Sequence, residues 1–143
     1  MVDFKDNIGR YIALSGRHLA KQVAKELGPL GIGAGQYPYL FALFVEDGQS
    51  QQSLAKRLAV DKAAAARSVG KLVKSGYLRR EQDKKDTRSF RVSLTPKARR
   101  ARVRLEKIVE HVLSKLEKGL SADEQTQAKK IMRKITENLL RLD

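Results

Sequence analysis

The segment from Gln51 to Thr95 constrains the fold more than any other part of the chain, because its hydrophobic period changes within it. Up to Gly76 the apolar residues recur at helical spacing in two short runs. Beyond Gly76 they alternate, with Leu78 in one run and Phe90, Val92 and Leu94 in the other, which predicts two half-buried antiparallel strands joined by a polar connection from Glu81 to Ser89. The segment is therefore predicted to form two short helices followed by an extended hairpin.

Both predicted helices begin at a residue that can cap them. Ser50 precedes the first helix, and Asp61 precedes the second, where its carboxylate can accept from the free amides of the first turn. Gly76 suits the left-handed position that ends a helix. The apolar residues expected to face inward are Leu54, Ala55 and Leu58 in the first helix and Ala65, Val69, Leu72 and Val73 in the second.

The outward face of the second helix combines small residues with cations. The residues on this face are Lys62, Ala63, Ala64, Arg67, Ser68, Lys71 and Lys74. Small side chains let a helix approach a flat, negatively charged surface, and double-stranded DNA is such a surface. We expect Arg67 to make a bidentate contact to guanine and the lysines to contact phosphates.

The connection of the hairpin adds a second group of candidate DNA contacts. They are Lys84, Lys85, Asp86 and Arg88. A helix-turn-helix followed by a basic hairpin is a winged helix, which places its second helix in the major groove and its hairpin tip in the neighbouring minor groove. Arg88 is expected to enter the minor groove while Asp86 orients its guanidinium.

These residues carry a resemblance to a known family. Asp86, any residue and Arg88, followed by a strand that ends in Leu94 and Thr95, resemble the wing signature of the MarR family of transcriptional regulators. Arg67 and Leu72 also match positions of that family's recognition helix. The chain departs from the family at Ala98, where glycine is usual, and in the unusual alanine content of the recognition helix. The resemblance covers about residues 30 to 98.

The resemblance implies a regulator, most often a repressor, that responds to a small molecule. Proteins of this family bind small aromatic acids, such as phenolic carboxylates, between their terminal helices and the winged helix. In this chain Arg17 can pair with a carboxylate, and Tyr37 can stack on a ring or donate a hydrogen bond. The alternative interpretation makes Arg17 a surface charge and Tyr37 a core residue.

Long helices are predicted at both ends of the chain, from Asp6 to Leu27, from Pro96 to Lys118 and from Ser121 onward. Ser121 is the expected N-cap of the last one, where it can form a capping box with Glu124. A winged helix of about 65 residues cannot cover all their apolar stripes, which predicts a homodimer; a monomeric up-and-down bundle is the alternative. We therefore predict a mainly α protein with a small β-hairpin wing. Residues 1–29 and 96–143 form its dimerisation region, and residues 30–95 form its winged helix-turn-helix.

Two further segments are predicted between the first helix and Ser50. The glycine-rich segment from Leu30 to Gly35 is expected to be a flexible loop, because it holds three glycines in six residues. The segment from Gln36 to Val45 is apolar nearly all round, which predicts a buried helix with Pro38 in its first turn.

Charge supports a polyanionic partner. Residues 51–104 hold 17 Lys or Arg against 4 Asp or Glu, whereas the remaining 89 residues hold 13 against 12. This excess would also suffice for a sequence-tolerant architectural or chromatin-type protein, and a generally basic proteome is a third explanation. The placed donors Arg67, Asp86 and Arg88 favour the sequence-specific regulator.

Other classes of function are disfavoured. The chain has no cysteine, and His18 and His111 have no metal-ligand spacing, so no metal and no cofactor is predicted. The sequence offers no nucleophile, base and orienting residue in combination, so we predict that the protein is not an enzyme. It has no apolar run of about 20 residues and no signal pattern, which predicts a cytoplasmic protein without a membrane partner.

Overall fold

The computed structural model describes all residues from 1 to 143. It contains six α-helices and three short strands, which confirms the predicted fold class. The elements in chain order are α1 Ile8–Leu27, a 3-10 turn Gly28–Leu30, α2 Tyr37–Val45, β1 Gln49–Ser50, α3 Gln51–Arg57, α4 Lys62–Lys74, β2 Leu78–Gln82, β3 Phe90–Leu94, α5 Pro96–Leu116 and α6 Ala122–Leu140. No helix combines the length and the apolar character that a membrane crossing requires.

The chain divides into two compact units, Met1–Val112 and Leu113–Asp143. The first unit holds α1 to α4, the sheet and most of α5. Its core is contributed by α1, α2, α3, α4, the sheet and α5. The largest fully buried side chains are Leu27, Ile32, Leu40, Leu43, Leu54, Leu72, Leu105, Val23, Val69 and Val92.

The sheet has one strand more than the predicted hairpin. Its order is β1-β3-β2, and both neighbouring pairs are antiparallel. In the added pair Gln49 lies opposite Val92. Gln49 is buried, and its amide nitrogen donates to the Glu46 carbonyl at 2.6 Å and to the Ala42 carbonyl at 3.3 Å. A two-residue strand is too short for alternation to reveal it.

One expectation about burial was wrong, and one predicted loop is packed more closely than its composition suggested. Phe90 was expected on the buried face of its strand, but it lies at the outer end of β3 and is 41% exposed. The glycine-rich segment forms no helix or strand beyond Leu30, as predicted, but it is packed against the core, since Ile32 is fully buried within it. Its backbone is also tied to the end of α4: the Ser75 hydroxyl donates to the Gly31 carbonyl at 3.1 Å, and the Tyr77 hydroxyl donates to the Leu30 carbonyl at 2.7 Å.

The predicted helix starts and stops are confirmed to within two residues: α1 begins at Ile8 instead of Asp6, and two helices end earlier than predicted. Thr95 caps α5, since its hydroxyl oxygen accepts from the Ala98 amide at 3.3 Å and donates to the Gly76 carbonyl at 2.6 Å. Gly76 has the left-handed φ of +83°, but α4 ends two residues earlier, at Lys74. Likewise α5 ends at Leu116 rather than Lys118.

The second unit contains the end of α5 and the whole of α6. Ser121 and Glu124 form the predicted capping box, with the Glu124 amide donating to the Ser121 hydroxyl at 3.1 Å and the Ser121 amide donating to the Glu124 carboxylate at 3.0 Å. These hydrogen bonds lower the pKa of Glu124. No residue of α6 is buried. Its large exposed apolar residues are Ile131, Met132, Leu139 and Leu140.

Candidate nucleic-acid interface

The second helix of the helix-turn-helix, α4, is fixed by its cap and by its buried stripe. Asp61 accepts a hydrogen bond from the Ala64 amide at 2.7 Å, as the sequence predicted. Ala65, Val69 and Leu72 are all 0% exposed. Ala59 adopts a left-handed conformation, with φ of +54°, in the turn that precedes the helix. Burial on one side therefore determines which residues α4 presents on the other.

The residues predicted to contact DNA lie on the accessible side of α4. Lys62, Ala63, Arg67 and Lys71 are exposed, while Ala64 and Ser68 are half-buried. Lys74 is also exposed. Arg67 makes no ion pair and no hydrogen bond within the chain, so its guanidinium is available to an external acceptor.

The wing tip is organised around the carboxylate of Asp86. One oxygen, Oδ1, accepts from the Arg88 amide at 3.1 Å and from the Arg88 Nε at 3.3 Å. The other oxygen, Oδ2, accepts from the Ser89 hydroxyl at 3.3 Å. The Arg88 side chain is nevertheless 91% exposed. The arrangement thus holds the start of the Arg88 guanidinium while leaving its end free.

A second carboxylate, Asp83, was not among the predicted site residues. It accepts from the Lys85 amide at 2.8 Å, and its other oxygen lies 3.3 Å from the Arg91 Nη2. The backbone hydrogen bond from Lys85 is the largest cause that lowers the pKa of Asp83, and Arg91 contributes. Arg91 also donates to the Gly48 carbonyl, which connects the wing to the turn before β1. An aspartate two residues before a turn amide is a recognisable local signal.

Some of the candidate DNA contacts of α4 lie close to some of those of the wing. A groove of about 310 Å³ lies between the first turns of α4 and the wing. Its lining includes Lys62, Ala63, Ala66, Arg88 and Phe90. Lys84 and Lys85 are exposed on the wing tip outside this lining. The predicted contacts thus form two surfaces separated by a groove.

Several of the cations between residues 51 and 104 bind acidic or carbonyl groups of the same chain. Arg57 pairs with Glu46 at 3.0 Å, and Arg99 pairs with Asp47 at 3.1 Å. The Lys97 ammonium donates to the Ser75 carbonyl at 2.7 Å and lies 4.5 Å from the centroid of the Tyr77 ring. The charge excess of this segment therefore overstates the charge that is available to DNA.

The two predicted effector residues lie in different surroundings. Arg17 is an exposed residue of α1 that makes no ion pair. Tyr37 is half-buried at the start of α2, and its ring makes an edge contact with Phe41 at 5.8 Å between centroids. No hydrogen bond joins Arg17 to Tyr37. A groove of about 420 Å³ follows the glycine-rich segment, but neither residue lines it.

Known proteins share both the sequence and this architecture. Residues 32–90 match the model of the MarR family. A MarR transcriptional regulator from Methanosarcina mazei Go1 is 34% identical, with 95% of this chain and 98% of that chain covered and a TM-score of 0.87. The uncharacterized HTH-type transcriptional regulator YybA of Bacillus subtilis is 25% identical over 136 residues, which are 95% of this chain and 91% of that protein.

A structure with DNA shares the fold. It is a putative MarR family transcriptional regulator from Listeria monocytogenes complexed with 26mer DNA, 24% identical, with 95% and 91% of the two chains covered and a TM-score of 0.86. The family consists of transcriptional regulators and not of enzymes, which confirms the prediction that this protein is not an enzyme. Its match to this chain extends from the glycine-rich segment through α4 to the first residue of β3. With the Methanosarcina regulator covered almost end to end, the chain belongs to the MarR family of DNA-binding transcriptional regulators.

Proposed function

We propose that this protein is a homodimeric, sequence-specific repressor that binds a pseudo-palindromic operator in double-stranded DNA and is released by a small aromatic carboxylate. The observation that carries the proposal is that two cations, one on α4 and one on the wing tip, are both held in position and both accessible. Arg67 extends unpaired from a capped helix, and Arg88 extends from a wing tip where Asp86 holds it. Nonspecific attraction to DNA needs charge but no such placement.

Each half-site would be read from both grooves. In the major groove Arg67 would donate to the O6 and N7 atoms of one guanine, while Lys62, Lys71 and Lys74 would contact phosphates. Ala63 and Ala64 add little bulk, so the helix can approach the base edges closely. In the minor groove Arg88 would supply the wing contact, with Lys84 and Lys85 toward the backbone.

Exposed apolar side chains on the terminal helices support the dimer. α1 exposes Ile8 and Tyr11, and the second unit exposes the apolar residues of α6. Several exposed large apolar side chains on one helix are typical of an interaction site. We propose that residues 1–29 and 96–143 form the interface, that residues 30–95 bind DNA, and that a two-fold axis sets the half-sites about 34 to 36 Å apart. Repression follows because a dimer bound across an operator excludes other proteins from that DNA in the cytoplasm.

Selection of bound DNA from a random pool at near-physiological salt tests the proposal. We expect a recovered palindrome whose half-sites are about one helical turn apart. Sedimentation of the free protein should give twice the chain mass. Recovery of DNA without a shared sequence would contradict the proposed sequence-specific repressor and favour the architectural alternative. A monomer in sedimentation would contradict the proposed two-fold dimer.

The effector part of the proposal is supported by the exposed, unpaired guanidinium of Arg17 and the half-buried ring of Tyr37. A ligand weakens DNA binding only if it binds better to a dimer whose recognition helices are wrongly spaced for the operator. Linkage then requires reciprocity: if an aromatic carboxylate lowers operator affinity by some factor, saturating operator must lower carboxylate affinity by the same factor.

Calorimetry with salicylate-like acids, with and without operator, measures both sides of this linkage. Arg17→Ala should abolish the binding, whereas His18→Ala, at the neighbouring position of α1, serves as the matched control. Carboxylate binding that survives Arg17→Ala, or that leaves operator affinity unchanged, would contradict the proposed effector site.

A further inference from the structure

The inner face of the wing hairpin changes from apolar to charged as its strands leave the body of the first unit. Leu78 lies opposite Leu94 at the base of the hairpin, and the next pair on the same face is Arg80 with Val92. Leu78, Leu94 and Val92 are all buried. Since alternate residues of a strand face the same side, Arg80 occupies a position where an apolar residue is expected.

The guanidinium of Arg80 lies between the wing and the two helices of the helix-turn-helix. Its Nη1 donates to the Gln51 Oε1, at the start of α3, at 3.2 Å and to the Ala66 carbonyl of α4 at 3.4 Å. Its central carbon is 5.5 Å from the centroid of the Phe90 ring, within the range of a cation–π contact. Arg80 therefore contacts β3, α3 and α4 at once.

Arg80 makes the one hydrogen bond that joins the hairpin Leu78–Leu94 to α4. Beyond this contact the groove of about 310 Å³ separates the recognition helix from the wing tip. The contact with Arg80 also explains the position of Phe90, because the guanidinium, and not the core, covers part of its exposed ring. A neutral apolar side chain at position 80 could not reach an acceptor on α4.

We propose that Arg80 is a positioning residue that fixes the recognition helix and the wing at one distance, so that major-groove and minor-groove contacts fit the same half-site. This inference rests on the proposed function, in which both elements bind one half-site. Arg80 itself is assigned no contact with DNA. A wing that is already placed loses less freedom on binding, so more of the contact energy appears as affinity.

The distance between the two elements can be measured without DNA. Because the chain has no cysteine, Lys71→Cys and Thr87→Cys introduce the only thiols, one on α4 and one on the wing. Spin labels on this pair, in protein diluted with unlabelled chain, should give a narrow distance distribution. Arg80→Gln should broaden or shift it, whereas Arg79→Gln should leave it unchanged.

Arg79 is the matched control because it loses the same charge from the neighbouring position. Both arginines are exposed, but Arg79 pairs only with Glu81, at 3.1 Å, on the same strand. An Arg80→Gln distribution with the same mean and width as the unsubstituted protein would overturn the proposal.

Coupling to the wing contact gives the functional test. Arg80→Gln should lower operator affinity about tenfold, and Arg79→Gln less than about twofold. In an Arg88→Ala background the loss from Arg80→Gln should shrink to about twofold or less, because the minor-groove contact is then absent and only the backbone contacts of Lys84 and Lys85 remain to be positioned. A loss that is fully additive with Arg88→Ala would contradict the proposal. So would an equal loss on operator and random DNA with a lower salt slope, which would indicate a phosphate contact.

Two further variants keep the test informative if Arg80→Gln unfolds. Gln51→Ala removes one acceptor only and should produce a smaller change of the same kind in the distance distribution. Arg80→Lys keeps the charge and should restore part of the operator affinity. If the unsubstituted chain selects no palindrome, the proposed function fails, but the spin-label distances still decide whether Arg80 positions the wing.

Discussion

The recognition helix and the wing are held in place by different interactions, although both belong to one candidate DNA interface. In α4, Ala65, Val69 and Leu72 have no exposed surface, so packing against the core fixes the helix. The wing tip, residues 83–89, has no buried residue. Its conformation is set by carboxylates that accept hydrogen bonds from nearby amides and guanidinium groups.

This difference has consequences for stability and for binding. Burial of apolar surface contributes roughly 25 cal/mol per Å² and is not screened by salt, whereas an exposed ion pair contributes about 0 to 1 kcal/mol and is screened. The position of the helix should therefore withstand changes in ionic strength. The conformation of the wing should change with ionic strength, and ordering the wing on DNA should cost more free energy than ordering the helix.

The largest expected effect comes from the buried face of α4. Leu72→Ala should lower the free energy of unfolding by about 2 to 5 kcal/mol, because it leaves a cavity at a fully buried position. Lys74→Ala, on the exposed side of the same helix, should change it by less than about 0.5 kcal/mol. Urea unfolding followed by circular dichroism measures both. Similar losses for the two variants would show that packing does not fix this helix.

Local sequence signals were sufficient to predict the helical half of the interface. Ser50, Asp61 and Ser121 were predicted as N-caps, and each accepts the expected backbone hydrogen bond. The inward stripe of α4 was predicted from its spacing, and the outward residues followed from it. These features were predictable because a cap or a stripe depends on residues within a few positions of one another.

The unpredicted features depend on residues far apart in the sequence. β1 is recognisable only through its partner Val92, and the buried Ile32 only through the ties of its segment to Ser75 and Tyr77. Arg80 looks like one more cation of a basic strand until its contact with Ala66 is known. Charge counts likewise could not separate the cations that bind acidic partners within the fold from those that remain available.

The next effect in size concerns base reading by the helix. Arg67→Ala should cost about 1 to 3 kcal/mol of operator binding and relax the base preference at one position of each half-site. Lys71→Ala should instead weaken operator and random DNA alike and lower the salt slope by about one. Selection repeated with each variant, together with salt titrations, distinguishes the two. Equal losses for both variants on operator and random DNA would refute this division of roles.

The wing contact should contribute less than the helix contact. Arg88→Ala is expected to cost about 1 kcal/mol per contact, at the lower end of the usual range, because its highly exposed side chain must be ordered on binding. The dimer should remain intact in sedimentation. A gel-shift titration against the operator measures the loss, and unchanged affinity would exclude Arg88 from the interface.

The smallest effect should come from the carboxylate that holds Arg88. Asp86→Asn keeps an oxygen that can accept from the Arg88 amide but removes the charge opposite its Nε, 3.3 Å away. Because the pair is exposed, operator affinity should fall by less than about 1 kcal/mol, and the difference should shrink at high salt. Asp86→Ala should cost more, since it also removes the acceptors of the Arg88 amide and the Ser89 hydroxyl. Titrations of both variants at two salt concentrations separate charge from turn geometry: if Asp86→Asn and Asp86→Ala lose the same affinity at every salt concentration, the wing depends on the charge of Asp86 and not on the turn that it builds.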